Sequence, residues 1–220
     1  MLDSFFDYQH THETYFLTHG TKHTYKKGQY IVTPHDDSPW VYFLAEGYVN
    51  ASFGAYDGTE RIIGFFLPGM SFAKIGAFFQ RNDGNLQYCA TTTATVYRVR
   101  QDAFLGQLTK DAAFNAEYLN WLLKVQILLI ERIVLLAQPT MRQRILHWLV
   151  FMKKYYGETT IDTTCRIAVP LTQDIIGSFL HATRESVGAV LRDLQHSGIV
   201  STEKKYITIE QTHSLEKMIE

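Results

Sequence analysis

Between Asp111 and Gln138 apolar side chains recur at helical spacing without a break. Phe114, Tyr118, Trp121, Val125, Leu128, Arg132 and Leu135 follow at steps of 4, 3, 4, 3, 4 and 3 residues. Leu122, Leu129, Ile133 and Leu136 widen the stripe. A helix of about 27 residues is near 40 Å long at about 1.5 Å per residue. That is roughly twice the length usual in globular domains. So much apolar surface exceeds a simple coiled-coil seam, so part should pack on the same chain and part on a partner helix. Burial within one monomer is the alternative. The length favours a homodimer seam through Tyr118, Trp121, Leu122, Val125, Leu128, Leu129 and Arg132. Pro139 stops the helix.

The residues before this helix have a different period. Tyr30–Thr33, Val41–Leu44, Tyr48–Phe53, Ile62–Phe66 and Thr91–Tyr97 are aromatic and β-branched, which predicts strands. Lys27-Gly28, His35–Pro39, Glu46-Gly47, Asp57-Gly58 and Pro68-Gly69 separate them as turns, with Asp57-Gly58 the best hairpin signal. Strands at about ten-residue intervals predict an antiparallel barrel or roll. The expected organisation is therefore α+β. A β-roll spans 1–110, a dimerisation helix 111–138 and a further domain 139–220.

Composition excludes several classes. The chain has 220 residues, 46% hydrophobic and 20% charged, with a net charge of -1, which fits a globular protein rather than a disordered one. Cys89 and Cys165 are too few for a disulfide framework or a four-thiolate metal site. The start has no basic segment followed by an apolar core, so no secretory signal is read. Lys124, Glu131 and Arg132 interrupt the greasiest stretch, Trp121–Ala137, which makes it a poor membrane span. A cytoplasmic protein without a membrane partner is expected. Lys and Arg number 11 against 13 Asp and Glu over residues 1–138, and 9 against 7 over 139–210. This asymmetry is small, and charge alone does not argue for nucleic acid.

After Pro139, Thr140 is placed to cap a helix Met141–Tyr156 that ends before Gly157. Glu158–Asp162 reads as a loop and Arg166–Val169 as a short strand. Thr172 can cap a next helix, with Asp174 suited to its positive end and Ile175, Ile176, Phe179 and Leu180 forming its apolar face. Thr183 can cap another, with Val187, Val190, Leu191 and Leu194 facing inward. Two short helices with Gly177 and Ala182 at their crossing describe a helix-turn-helix. Ser197–Ile209 then reads as strand, Glu203-Lys204-Lys205 turn and strand, a basic-tipped wing. An ordinary helical hairpin is the bland reading. The wing and the sequence Thr183-Arg184-Glu185 favour double-stranded DNA.

A recognition helix presents its first turns to base edges. Thr183, Arg184, Glu185, Gly188 and Ala189 are the candidate base contacts, with Arg184 able to fork onto guanine and Glu185 to accept from cytosine. Thr172, Gln173, Arg192, Lys204, Lys205, Arg142 and Arg144 are the candidate phosphate contacts. The bland reading of the basic residues is a solvated face.

At this point the chain resembles the cyclic AMP receptor/Fnr (Crp/Fnr) family of bacterial transcription regulators over nearly its full length. Leu171-Thr-Gln-x-x-Ile-Gly177 and Thr183-Arg-Glu-Ser-Val-Gly-x-Val-Leu191 are similar to the family signature. Lys27-Gly28, Phe43–Gly47 and Leu67–Gly69 fall where the family places turns in its roll. The resemblance implies a homodimer on near-palindromic DNA, an effector in the roll that repositions the DNA-binding domains, and RNA polymerase as a further partner. Ala189 stands where many members have a second arginine, so the half-site should differ from the familiar one. His181 stands where the family often has glycine.

Cyclic-nucleotide-binding members hold the phosphate with a Gly-Glu pair and a following Arg-Ser/Thr-Ala. Here Lys74 stands near the Glu position, Tyr88 at the Arg and Cys89 at the Ser. Without the Arg there is no bidentate phosphate clamp, so the expected effector is a small molecule other than cyclic AMP. No cofactor is evident. Lys74, Tyr88 and Cys89 are the pocket candidates, with Lys74 and Tyr88 suited to another anion such as an aromatic acid. The bland reading makes Lys74 a surface residue and Phe72, Phe78 and Phe79 core. Cys89 is either a thiol sensor or a small buried hydrophobe. The second reading keeps the DNA binding over an effector-independent or thiol-tuned roll. The third, remote reading is a cupin-like metal enzyme. His10, His12, His19, His23 and His35 lack convincing ligand spacing. No catalytic constellation stands out, and the chain is read as a non-enzyme.

Overall fold

Side-chain alternation in the first half and helical periodicity in the second produce two compact units. The computed structural model describes residues 10–34, 36, 39–54, 59–74, 85–161 and 164–219. One unit ends at Lys124 and the other begins at Val125, inside the long helix.

The first unit opens with a helix, α1 (His10–His19). The sequence reading missed it because only His12 and Phe16 of its described side chains are fully buried, too few for a visible stripe. Eight strands follow: β1 (Thr21–Tyr25), β2 (Tyr30–Val32), β3 (Trp40–Glu46), β4 (Val49–Gly54), β5 (Glu60–Phe66), β6 (Ser71–Ala73), β7 (Leu86–Ala90) and β8 (Ala94–Arg100). They form two four-stranded sheets, β1-β8-β3-β6 and β2-β7-β4-β5. All pairings are antiparallel. The expected roll is therefore present. The strand expected at Thr91–Tyr97 begins three residues later, at Ala94. The predicted turn Asp57-Gly58 lies outside the described residues, although β4 and β5 on either side pair from Val49↔Phe66 to Gly54↔Glu60. At Gly47, φ is +84° and an added Cβ would lie 2.1 Å from the Thr93 carbonyl, so the β3–β4 turn requires glycine.

The roll has two apolar layers. Tyr42, Leu44, Phe72, Ala94 and Val96 of one sheet meet Ile31, Val32, Val49, Ala51, Leu86 and Tyr88 of the other. On the outer face of the first sheet, Val41, Phe43 and Val99 pack with Phe16, Phe104 and Phe114. These last three come from α1, α2 (Gln101–Lys110) and α3 (Ala112–Leu136). Asp111 starts α3 by accepting from the Ala113 and Phe114 amides at 3.0 Å.

The second unit contains the rest of α3, then α4 (Met141–Tyr156), β9 (Gly157–Ile161), β10 (Thr164–Ile167), α5 (Gln173–Leu180), α6 (Arg184–His196), β11 (Val200–Glu203), β12 (Tyr206–Ile209) and α7 (Thr212–Lys217). Thr140 caps α4 as expected, its hydroxyl accepting from the Gln143 amide at 3.2 Å. Glu158–Asp162, read as a loop, instead supplies β9, which extends the sheet as β11-β12-β10-β9. Its Thr-Thr-Ile run is β-branched and its partner β10 lies nearby in sequence, so pairing is cheap. The strand read at Arg166–Val169 begins and ends two residues earlier, before Pro170.

Candidate nucleic-acid interface

Thr172 starts α5 by accepting from the Ile175 amide at 3.2 Å, and Thr183 starts α6 by accepting from the Ser186 amide at 3.2 Å. Between them His181 adopts φ 54°, ψ 49°, a left-handed turn at the position where glycine is the common residue. Ile176, Phe179 and Leu180 of α5 and Val187, Leu191 and Leu194 of α6 are buried. A Cβ on Gly177 would lie 2.7 Å from the Ala182 carbonyl, which explains the small residue at the turn. Gly188 faces α5, where an added Cβ would meet the Gln173 side-chain amide, Oε1 at 2.9 Å. Gly188 is buried and is therefore a packing residue, not the base contact expected from the sequence.

The outward face of α6 carries Arg184, Glu185, Ala189 and Arg192, all exposed. Thr183 is exposed too, but its hydroxyl serves the cap and also lies 3.0 Å from Ser186 Oγ. Arg184 Nη1 stands 3.9 Å from Asp174 Oδ2 of α5. Two other predicted phosphate contacts have internal partners. Arg142 is ion-paired with Asp193 of α6. Arg144 donates to the Leu180 carbonyl at 3.5 Å, and those carbonyls at the end of α5 attract cations.

The wing is a two-residue hairpin. Glu203 pairs with Tyr206, and Lys204 and Lys205 between them have φ of 48° and 83°. Positive φ at both central positions matches the twist of the flanking strands. Both lysines are exposed. Arg166 of β10 lies over the Tyr206 ring at 4.1 Å and stiffens the wing's base.

The long helix divides its faces more sharply than the sequence suggested. Phe114, Trp121 and Leu135 are buried and Tyr118 packs on the roll's outer core, so these residues serve their own chain. Arg132 does likewise: its Nη2 donates to the Phe179 carbonyl at 3.2 Å and its guanidinium lies 4.8 Å from the Phe179 ring. Burial pushes its pKa down. Val125 and Leu128 are half-buried. Of the expected seam, Leu122 and Leu129 are exposed, at the flanks of a row of which the sequence reading named only Ile133. That row is Leu119, Leu123, Ile130, Ile133 and Val134. At about 100° per residue it lies opposite the buried stripe.

The three pocket candidates do not converge. Tyr88 points into the roll, between Phe66 and Phe72, and its hydroxyl donates to the Ala73 carbonyl at 2.9 Å. Cys89, the next residue on the strand, has the opposite parity and is half-buried. Burial, and then Glu60, push its thiol pKa up. Lys74 is 7% exposed rather than a surface residue, and donates to the Pro34 carbonyl at 2.6 Å. Phe72 is core as expected, while Phe78 and Phe79 lie outside the described residues. Arg98, which alternation with Val96 could have flagged as inward, was missed. Among the described residues no group of three or more metal-ligating side chains occurs; His35 and the side chain of His10 lie outside them. No described helix is long and apolar enough to cross a membrane.

Residues 22–111 match the cyclic nucleotide-binding domain family, and residues 143–218 match the Crp-like helix-turn-helix domain family. The cAMP-activated global transcriptional regulator CRP of Salmonella typhimurium is 20% identical over 195 residues, covering 89% of this chain and 92% of that protein. A CooA mutant from Carboxydothermus hydrogenoformans superposes with a TM-score of 0.77 at 19% identity, over 93% of this chain and 89% of the other. OCPA-complexed CprK superposes with a TM-score of 0.71 at 18% identity, over 93% and 92%.

Proposed function

The chain belongs to the Crp/Fnr family of bacterial DNA-binding transcription regulators, and we propose that it acts as a homodimer responding to an effector other than cyclic AMP. The observation that carries the reading is the exposed first turn of α6, with Arg184 and Glu185 held outward by the Thr183 cap. On this reading Arg184 and Glu185 read base edges, with Thr183 and Ala189 beside them. Arg192, Lys204, Lys205, Thr172 and Gln173 lie along the phosphates, where they position without specifying. Residues 1–110 form the sensor domain, 111–138 the dimerisation helix and 139–220 the DNA-binding domain.

The exposed row on α3 supports the homodimer. Five large aliphatic residues on one face of a 25-residue helix suit a second copy of the same helix. A two-fold dimer also fits a reader of symmetric half-sites about 34 Å apart.

An effector other than cyclic AMP is supported by the residues at the phosphate-cassette positions. Lys74 and Tyr88 stand there without a guanidinium, and the Tyr88 hydroxyl is already used by Ala73. The relatives' names point to more than one ligand: cAMP for the Salmonella protein and OCPA for CprK.

The test is selection of random duplex DNA by the purified protein at one stated salt concentration, beside Arg184→Ala. The wild type should enrich a two-fold symmetric site, and the variant should keep salt-dependent binding without sequence preference. Enrichment of the same site by the variant would overturn the reading.

A further inference from the structure

We propose that Arg98 and Lys74 form an anion site inside the roll that takes the carboxylate of a small organic acid. The inference rests on the reading of the roll as an effector domain and names the effector's chemical class.

The two cations border the Trp40–Tyr42 segment of β3 from opposite sides. Tyr42 on β3 pairs with Arg98 of β8 on one side and with Phe72 of β6 on the other. Lys74, two residues beyond Phe72, shares its parity and faces the same interior. Both cations are largely withdrawn from water, Lys74 to 7% exposure. Neither forms an ion pair with a carboxylate among the described residues. Asp36 is close enough to act on the Tyr42 and Tyr25 hydroxyls.

Their donors are also underused. Arg98 lies over the Trp40 ring at 4.4 Å, and the Tyr42 hydroxyl bonds to the guanidinium. Its Nε is buried and has no hydrogen-bond partner. Lys74 donates once, to Pro34. His23 lies near Arg98 on β1, and its Nε2 is likewise buried without a partner. Buried donors are normally satisfied, so the Arg98 Nε–H, with the unpartnered His23 ring nitrogen beside it, points to a missing acceptor.

The surroundings select the acceptor. A guanidinium held over an indole offers a planar N–H edge, the geometry that a carboxylate matches with two oxygens. Tyr42 stacks on Phe72 at 5.2 Å and Phe72 on Tyr88 at 4.7 Å, so the interior beside the cations is aromatic and suits the organic part of the ligand.

Two measurements on the full-length protein test this. Without ligand, Lys74→Met and Arg98→Met should melt higher than the wild type, because a site built for a ligand carries unpaired charge. Lower melting of both variants would make the cations structural and overturn the proposal. Next, benzoate, phenylacetate, inorganic phosphate and cyclic AMP are titrated by calorimetry into the wild type and both variants, with the Arg98 Nε–H signal followed by NMR in the wild type and in Lys74→Met. The proposal expects saturable binding of a carboxylate, weakened at least tenfold in either variant. No saturable carboxylate binding, equal binding by the variants, or preference for phosphate or cyclic AMP would overturn it. DNA selection is read separately on the same preparations. A protein that binds DNA but no carboxylate loses this site and remains a regulator. One that binds carboxylate but no DNA keeps the site and loses the regulatory reading.

Discussion

Arg184, at the start of the recognition helix, has its Nη1 3.9 Å from Oδ2 of Asp174, in the first turn of the helix before it. The side chains are 64% and 68% exposed, so the pair is screened and contributes at most about 1 kcal/mol. Its consequence is electrostatic rather than structural. The proposed DNA face holds a carboxylate beside the arginine assigned to read bases.

Asp174→Asn should therefore leave folding almost unchanged and tighten binding to scrambled duplex. About threefold is expected, since removing one repulsive charge near phosphate is worth roughly 0.6 kcal/mol. Fluorescence anisotropy at two salt concentrations measures it. Weaker binding to scrambled DNA would show that Asp174 positions Arg184 productively, against this expectation.

His181 ends α5 at φ 54°, where a Cβ is strained and glycine is not. His181→Gly should raise the urea midpoint by the equivalent of about 0.5–1 kcal/mol. A lower midpoint would mean that the imidazole makes a contact worth more than the relieved strain.

The left-handed turn at His181, the Thr140, Thr172 and Thr183 caps and the Lys204-Lys205 hairpin were legible in the sequence because each is local. The hydroxyl, the amide it binds and the backbone it fixes lie within three residues. What the sequence concealed is non-local. Gly188 reads as part of an exposed motif until Gln173 of the neighbouring helix is seen against it. Arg142 reads as a free cation until Asp193, 51 residues away, is seen paired with it. The apolar spacing of α3 was visible as one broad stripe, and only packing separates the side that holds its own chain from the side left exposed. Lys74 was among the pocket candidates, but Arg98 was missed because the strand was read as ending at Tyr97, one residue before it.

The exposed row on α3 makes an assembly prediction. Ile130 is 53% exposed and Leu123 59% exposed. Covering such side chains is worth about 2 kcal/mol each, and a glutamate in a shared seam would be left uncompensated. Ile130→Glu and Leu123→Glu should sediment as monomers at micromolar concentration where the wild type is dimeric, with unchanged circular dichroism. Dimers from both variants would place the seam elsewhere.

His12 makes acid sensitivity a property of the first unit. It is 2% exposed, with its ring 4.0 Å from Phe114 and Nε2 2.9 Å from the Phe114 carbonyl. Glu117 is the charged neighbour facing it from α3. Burial dominates, and the folded-state pKa lies below the ordinary 6.5 despite the opposing effects of that carbonyl and Glu117. The unfolded chain therefore binds a proton first as pH falls. The stabilisation is fully present above about 6.5 and is lost progressively below it, with a slope of at most about 1.4 kcal/mol per pH unit. Urea midpoints at pH 7.5, 6.5 and 5.5 should fall for the wild type. They should fall less for His12→Gln, which can keep a donor to the Phe114 carbonyl and does not titrate. Parallel pH profiles for the two proteins would show that other groups set the acid limit.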